Sequence, residues 1–198
     1  MVRTVLHVLS QRPSLTGSGI TLDAFVRLAA PRWEQHVVVG VPAEDPQPEV
    51  GGLPPERIHP LRFETEELPF PLPGMSDVMP YRSTVWSTMT PPQLDRYRAA
   101  WRFHLGRVLA DVRPDVIHVH HVWLLAALLR SLAPGVPIVN QCHATGLRQA
   151  VLFDRAGELP QALGVEMAAV VVAGDDLVEF QFCGLVCHLA LLIPPLIA

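Results

Sequence analysis

A chain of 198 residues, 49% of them hydrophobic, suits one large α/β domain that can bury its core without disulfides or metal. The net charge of −4 offers no basic field to a nucleic-acid backbone, so nucleic acid is not expected as a partner. All fifteen positive charges are arginines, which excludes a P-loop lysine and a Schiff-base lysine.

In chain order, Thr4 to Leu9 forms a short apolar run that reads as a strand. A polar loop, Ser10 to Ser18, leads into a helix carrying Leu22, Phe25, Val26 and Ala29 on one face, which Pro31 ends. His36 to Val41 is rich in β-branched residues and predicts a second strand. Ile58 to Leu61 predicts a third, confined to an edge by Pro60. From Arg62 to Pro92 six prolines leave an irregular segment, of a length that is either functional or a loose surface excursion.

A helix follows from Pro92 to about Val112, with Leu94, Tyr97, Trp101, Leu105, Val108 and Val112 at steps of three or four. Val116 to Val119 predicts a buried strand, Trp123 to Leu132 a helix, and Pro137 to Cys142 the next strand. The remaining expectations are a helical or irregular stretch over 147–163 and a strand over 168–173. A short helix over 175–182 and a last strand over 189–193 follow. Strands alternating with helices imply a parallel sheet covered on both faces.

Three cysteines in no paired spacing fit a reducing compartment, and a cytoplasmic location is expected. The apolar run after Met1 is too short for a signal peptide. Leu185 to Ala198 is broken by His188 and Pro194-Pro195, and falls short of the ~20 residues of a spanning helix. Association with a membrane surface has no support in the sequence.

Ligands of open parallel sheets bind beyond the carboxyl ends of the strands. Three loops there carry chemistry. Gly17, Ser18 and Gly19 precede a helix and would let backbone approach a phosphate or hydroxyls, although a tight turn without ligand fits equally. Leu22 stands where the dinucleotide fingerprint has its third glycine, which argues against a dehydrogenase. His118, His120 and His121 close a strand; Val122 replaces the aspartate of a common zinc pattern, so no metal is expected. Such histidines more often hydrogen-bond a substrate hydroxyl or backbone. His143, Thr145, Gly146 and Arg148 follow the next strand and suit an anionic or polyhydroxylated ligand, or form a capped turn with a surface arginine. There is no G-x-S-x-G elbow, so a hydrolase has no support.

The run Pro114-Asp115-Val116-Ile117-His118-Val119-His120-His121, the turn Gly135-Val136-Pro137 and the loop Cys142-His143-Ala144-Thr145 together resemble the N-terminal domain of glycosyltransferase family 4. Ser18-Gly19-Ile20, Val170 to Gly174 and Ile193-Pro194-Pro195-Leu196-Ile197 resemble its first glycine-rich loop, its sixth strand and its interdomain connector. The resemblance implies a GT-B enzyme of two Rossmann-like domains with a cleft between them, the N-terminal one receiving the acceptor. It further implies retaining transfer without a metal or cofactor, from a nucleotide sugar held by the C-terminal domain to a hydroxyl acceptor.

By position the resemblance makes His143 the catalytic residue and sets Gly17, Ser18 and Gly19 against donor phosphates and acceptor. It assigns His120, His121, Thr145 and Arg148 to the acceptor. The chain stops at the connector, with Leu196 in place of the usual glycine. The expectation is therefore one N-terminal domain over 1–198, inactive alone, either truncated or half of a split enzyme. The alternative is a non-catalytic interaction subunit that pairs with a separate donor-binding chain.

Overall fold

The computed structural model describes residues 2–29, 32–121, 124–141 and 143, together with the backbone of 179–182 and 185–188. Five strands form one parallel sheet: β1 (Arg3–Leu9), β2 (Trp33–Pro42), β3 (Ile58–Phe63), β4 (Val116–His120) and β5 (Ile138–Gln141). Their order is β3-β2-β1-β4-β5, so sequence order reverses between β1 and β4. That is the strand order of a Rossmann-like half, and it places a crevice beyond the carboxyl ends of β1 and β4. Pro60 sits in β3 at the sheet's edge, where a missing N–H costs no ladder bond on the open side.

Among the described residues three helices cover the sheet: α1 (Gly17–Ala29), α2 (Pro91–Val112) and α3 (Leu125–Leu132). Alternation along each strand feeds two cores. On one face Leu22 and Val26 of α1 pack on Leu9, Val37, Val39 and Val41. On the other, Tyr97, Trp101 and Leu105 of α2 and Leu125 and Leu129 of α3 pack on Leu6, Val8, Ile117 and Val119. The predicted stripe of α2 is the buried one: Leu94, Tyr97, Trp101, Leu105 and Val108 face inward. A capping box of Thr90 and Gln93 starts α2, and Arg113 ends it in a left-handed conformation.

The segment expected to be irregular from Arg62 to Pro92 gives its ends to β3 and α2, and what lies between, residues 64–90, is a built part of the core. Leu68, Phe70, Leu72, Met75 and Trp86 are buried in the same cluster as α2. Trp86 meets Tyr97 edge-on at 5.1 Å, and backbone bonds between Leu72, Gly74 and Thr84 hold the segment in register. Prolines remove donors here without preventing apolar side chains from packing.

Three expectations differ from the structure. Phe25, expected on the buried face of α1 with Leu22 and Val26, sits at that face's rim and is 37% exposed. Helix α1 begins at Gly17, not after Ser18, so the glycine-rich loop is its first turn. The helix expected over 175–182 does not extend to its end: β6 (Glu179–Phe182) is extended and pairs antiparallel with β7 (Leu185–His188). The physical reason is the alternation of Glu179, Phe180, Gln181 and Phe182, polar and aromatic in turn, which has the period of a strand. The expected elements over 147–163, 168–173 and 189–193 lie outside the described residues.

Candidate functional site

The rim beyond β1 and β4 is assembled from short polar contacts. Gln11 follows β1, and its side-chain oxygen accepts from the Ser18 hydroxyl at 3.0 Å and from His121 Nε2 at 3.2 Å. Thr16 closes the start of α1: its hydroxyl accepts from the Gly19 N–H at 3.1 Å and its carbonyl from the Ile20 N–H at 2.9 Å. The turn therefore uses backbone donors that the sequence reading reserves for a ligand.

The two glycines differ. A side chain on Gly19 would press into the Pro13 carbonyl, its Cβ 2.5 Å from the carbonyl carbon. Gly17 has nothing within 4 Å of the same position. Gly19 thus serves the packing of its own loop, and Gly17 is the one that leaves room for an approaching molecule.

His121 turns the chain out of β4 with φ of 72°, a left-handed conformation uncommon for a side-chain-bearing residue. Its N–H bonds the Gln141 carbonyl at 2.9 Å, which holds the turn. Because Nε2 donates to Gln11, a neutral His121 carries its lone pair on Nδ1. That atom is buried and has no hydrogen-bond partner among the described residues. Burial drives the pKa of His121 down to about 3, with His143 adding to the effect, so the ring is neutral. It can accept a hydroxyl hydrogen bond but is a weak base.

His143 lies beyond β5 and is half-buried, its pKa lowered by burial. Its Nε2 is 3.2 Å from His120 Nδ1, and its ring is stacked on that of His120 and tilted 4.6 Å from that of His121. The carboxyl ends of β4 and β5 thereby bring three imidazoles together at the switch point.

Among the residues singled out from sequence, Gly17, Ser18, Gly19, His120, His121 and His143 converge on one rim. Thr145 and Arg148 lie outside the described residues. Sequence reasoning missed Gln11 and Arg12. Gln11 links α1 to β4, while Arg12 is ion-paired to Asp45 and lies over the Tyr81 ring at 5.4 Å. Burial raises the Tyr81 hydroxyl to about 12, so it stays a neutral donor. No periodicity marks these residues; their loops meet only in the folded chain.

The parallel Rossmann-like layer, with Gln11, Ser18 and the histidines gathered beyond the ends of β1 and β4, defines an α/β class whose ligands generally bind at that switch point. The model of Glycosyltransferase Family 4 matches residues 17–173, and the chain belongs to that family. No curated protein matches it. Among solved structures it is similar to one described as the glycotransferase of kitacinnamycin, at 15% identity and a TM-score of 0.38. The match covers 84% of this chain and 43% of that one, so this chain spans less than half of its length. Among the described residues, no helix is long and apolar enough to cross a membrane.

Proposed function

We propose that this chain is the acceptor-side domain of a retaining glycosyltransferase. It positions a hydroxyl acceptor for transfer of a sugar from a nucleotide-sugar donor that a second domain holds. The observation that carries this reading is the buried Nδ1 of His121, which has no hydrogen-bond partner among the described residues and lies beside the His143 ring beyond the ends of β4 and β5.

A neutral imidazole there accepts a hydrogen bond from the acceptor hydroxyl and fixes its direction of attack. With a pKa near 3 it does not hold the hydroxyl's proton ahead of reaction. The chemistry then rests on orientation and on stabilising the departing diphosphate, tasks in which fixed dipoles outperform water. Gly17, open at the first turn of α1, is where the donor's phosphates have room to approach. His143 lines the reaction centre, and Thr145 and Arg148, close behind it in sequence, are the further acceptor contacts this reading expects.

On this reading the chain alone transfers no sugar, and a donor-binding domain completes it. Calorimetry of the chain with UDP-glucose and GDP-mannose should show no binding tighter than about 1 μM. Transfer to a hydroxyl acceptor should appear only when a donor-binding domain is supplied. Tight nucleotide-sugar binding by the chain alone would overturn the acceptor-side assignment.

A further inference from the structure

We propose that His7, His118 and His120 hold a divalent transition-metal ion of the zinc type between β1 and β4. The site is independent of the sugar-transfer reading. It becomes visible only in the fold, because His7 is 111 residues from His118 and the sequence shows only the ligands of one strand.

The register of the sheet builds it. His7 and His118 are paired partners on adjacent parallel strands, and His120 follows two residues later on the same face. Each offers a ring nitrogen, and the three nitrogens lie within 4.8 Å of one another. All three residues are buried, at 4%, 8% and 1% exposure, under the edge of Phe25 from α1.

The outer nitrogens are already engaged in the way metal-bound histidines require. Gln35 donates its amide N–H to the Val26 carbonyl at 2.9 Å, which leaves its oxygen to accept from His7 Nε2 at 3.2 Å. His7 Nδ1 is therefore a lone pair and accepts the 2.9 Å hydrogen bond from His118 Nδ1–H, whose proton a bound ion would displace. With Nδ1 committed inward, the other nitrogen of His118 is left for its side-chain bond to Gln141. His120 sets Nδ1 against His143, and its Nε2 is buried without a partner. Gln35, Gln141 and His143 form the outer set that fixes ring orientation in histidine metal centres.

Three imidazoles at Zn–N distances of about 2.0–2.1 Å would sit roughly 3.3 Å apart. The His7–His118 pair need open only by a few tenths of an ångström. The third ring moves inward by rotation about its side-chain bonds. An all-imidazole set selects borderline metals such as zinc, cobalt or copper over magnesium and calcium, which seek oxygen. Such an ion would pin β1 to β4 at the switch point.

The test uses the whole chain, stripped with EDTA and titrated with Zn²⁺ and separately with Co²⁺. The expected result is one equivalent bound more tightly than about 1 μM, with a raised denaturation midpoint. Cobalt should give visible bands of tetrahedral nitrogen ligation without thiolate charge-transfer absorption. His7→Gln and His118→Gln should weaken binding at least 100-fold, while His59→Gln, on a separate histidine cluster, should leave it unchanged. A folded wild-type chain that takes up no zinc overturns the proposal, whatever the variants do. So do thiolate bands, or full-strength binding by folded His7→Gln.

Discussion

Replacing Gly19 by alanine separates a loop built for its own packing from one kept free for ligand. The added Cβ would lie 2.5 Å from the Pro13 carbonyl carbon and 3.0 Å from the Arg12 oxygen, against 3.4 Å or more for ordinary contact. Those atoms are backbone, so the strand-to-helix loop must move by about 1 Å. Overpacking of this kind costs ~3 kcal/mol, and the better helix propensity of alanine returns up to about 1 kcal/mol. The expected net loss is about 2 kcal/mol, or a fall in Tm of roughly 4–8 °C for a chain of this length.

The loss should come with disruption of the bonds from Ser18 and His121 to Gln11, since the moving loop carries Gln11. Gly17→Ala is the control, because its Cβ meets nothing within 4 Å, and its stability should change by no more than ~0.5 kcal/mol. Urea denaturation of both variants at one pH gives the comparison. A Gly19→Ala chain as stable as Gly17→Ala would refute the close approach and the assignment of this glycine to packing.

Other outcomes follow from the same structure. Trp86→Ala should cost about 3–5 kcal/mol in chemical denaturation, because Trp86 is 1% exposed and packs on Tyr97; a loss under about 1 kcal/mol would mean the segment over 62–92 is not docked. In the active enzyme that contains this domain, His143→Ala should lower kcat by ~10²-fold, and near wild-type turnover would remove His143 from the reaction centre.

Stability should also fall in acid through His36, His59 and His104. Burial lowers all three pKa values, opposed at His36 by Glu34 and at His59 by Asp111, and reinforced by Arg57 at His36 and Arg107 at His104. The unfolded chain takes up these protons first, so the contribution is full above about pH 6.5 and is lost as pH falls toward the folded values. Denaturation midpoints of wild type and His59→Gln across that range check this, and an equally steep decline in both would contradict it.

Much of the architecture was legible because it depends on local pattern. The stripe from Leu94 to Val108 has helical period, and Val37 to Val41 has the β-branched density of an inner strand. Pro60 announced an edge. The docked segment between Arg62 and Pro92 was not legible, since its buried residues Leu68, Phe70, Leu72 and Trp86 follow no period and acquire their place only against α2. The start of α1 was set late in sequence because Gly17 and Gly19 signal a turn, whereas Thr16 caps a helix there.

The site divides in the same way. His120, His121 and His143 could be named because strand ends of parallel sheets face one rim. His7 could not, because its neighbour His118 is set by the β1–β4 register. Gln11 stayed hidden for the same reason: it is an ordinary loop residue until the fold sets it beside His121.

The most direct test of the acceptor-side reading is ¹⁵N NMR of the imidazoles in the whole chain, titrated with methyl α-mannoside, methyl β-glucoside and glycerol. The account predicts a neutral His121 protonated on Nε2, whose Nδ1 resonance moves with His143 as one of these hydroxyl compounds binds. A His121 protonated on Nδ1, or histidine resonances unmoved while binding registers elsewhere on the chain, would contradict it.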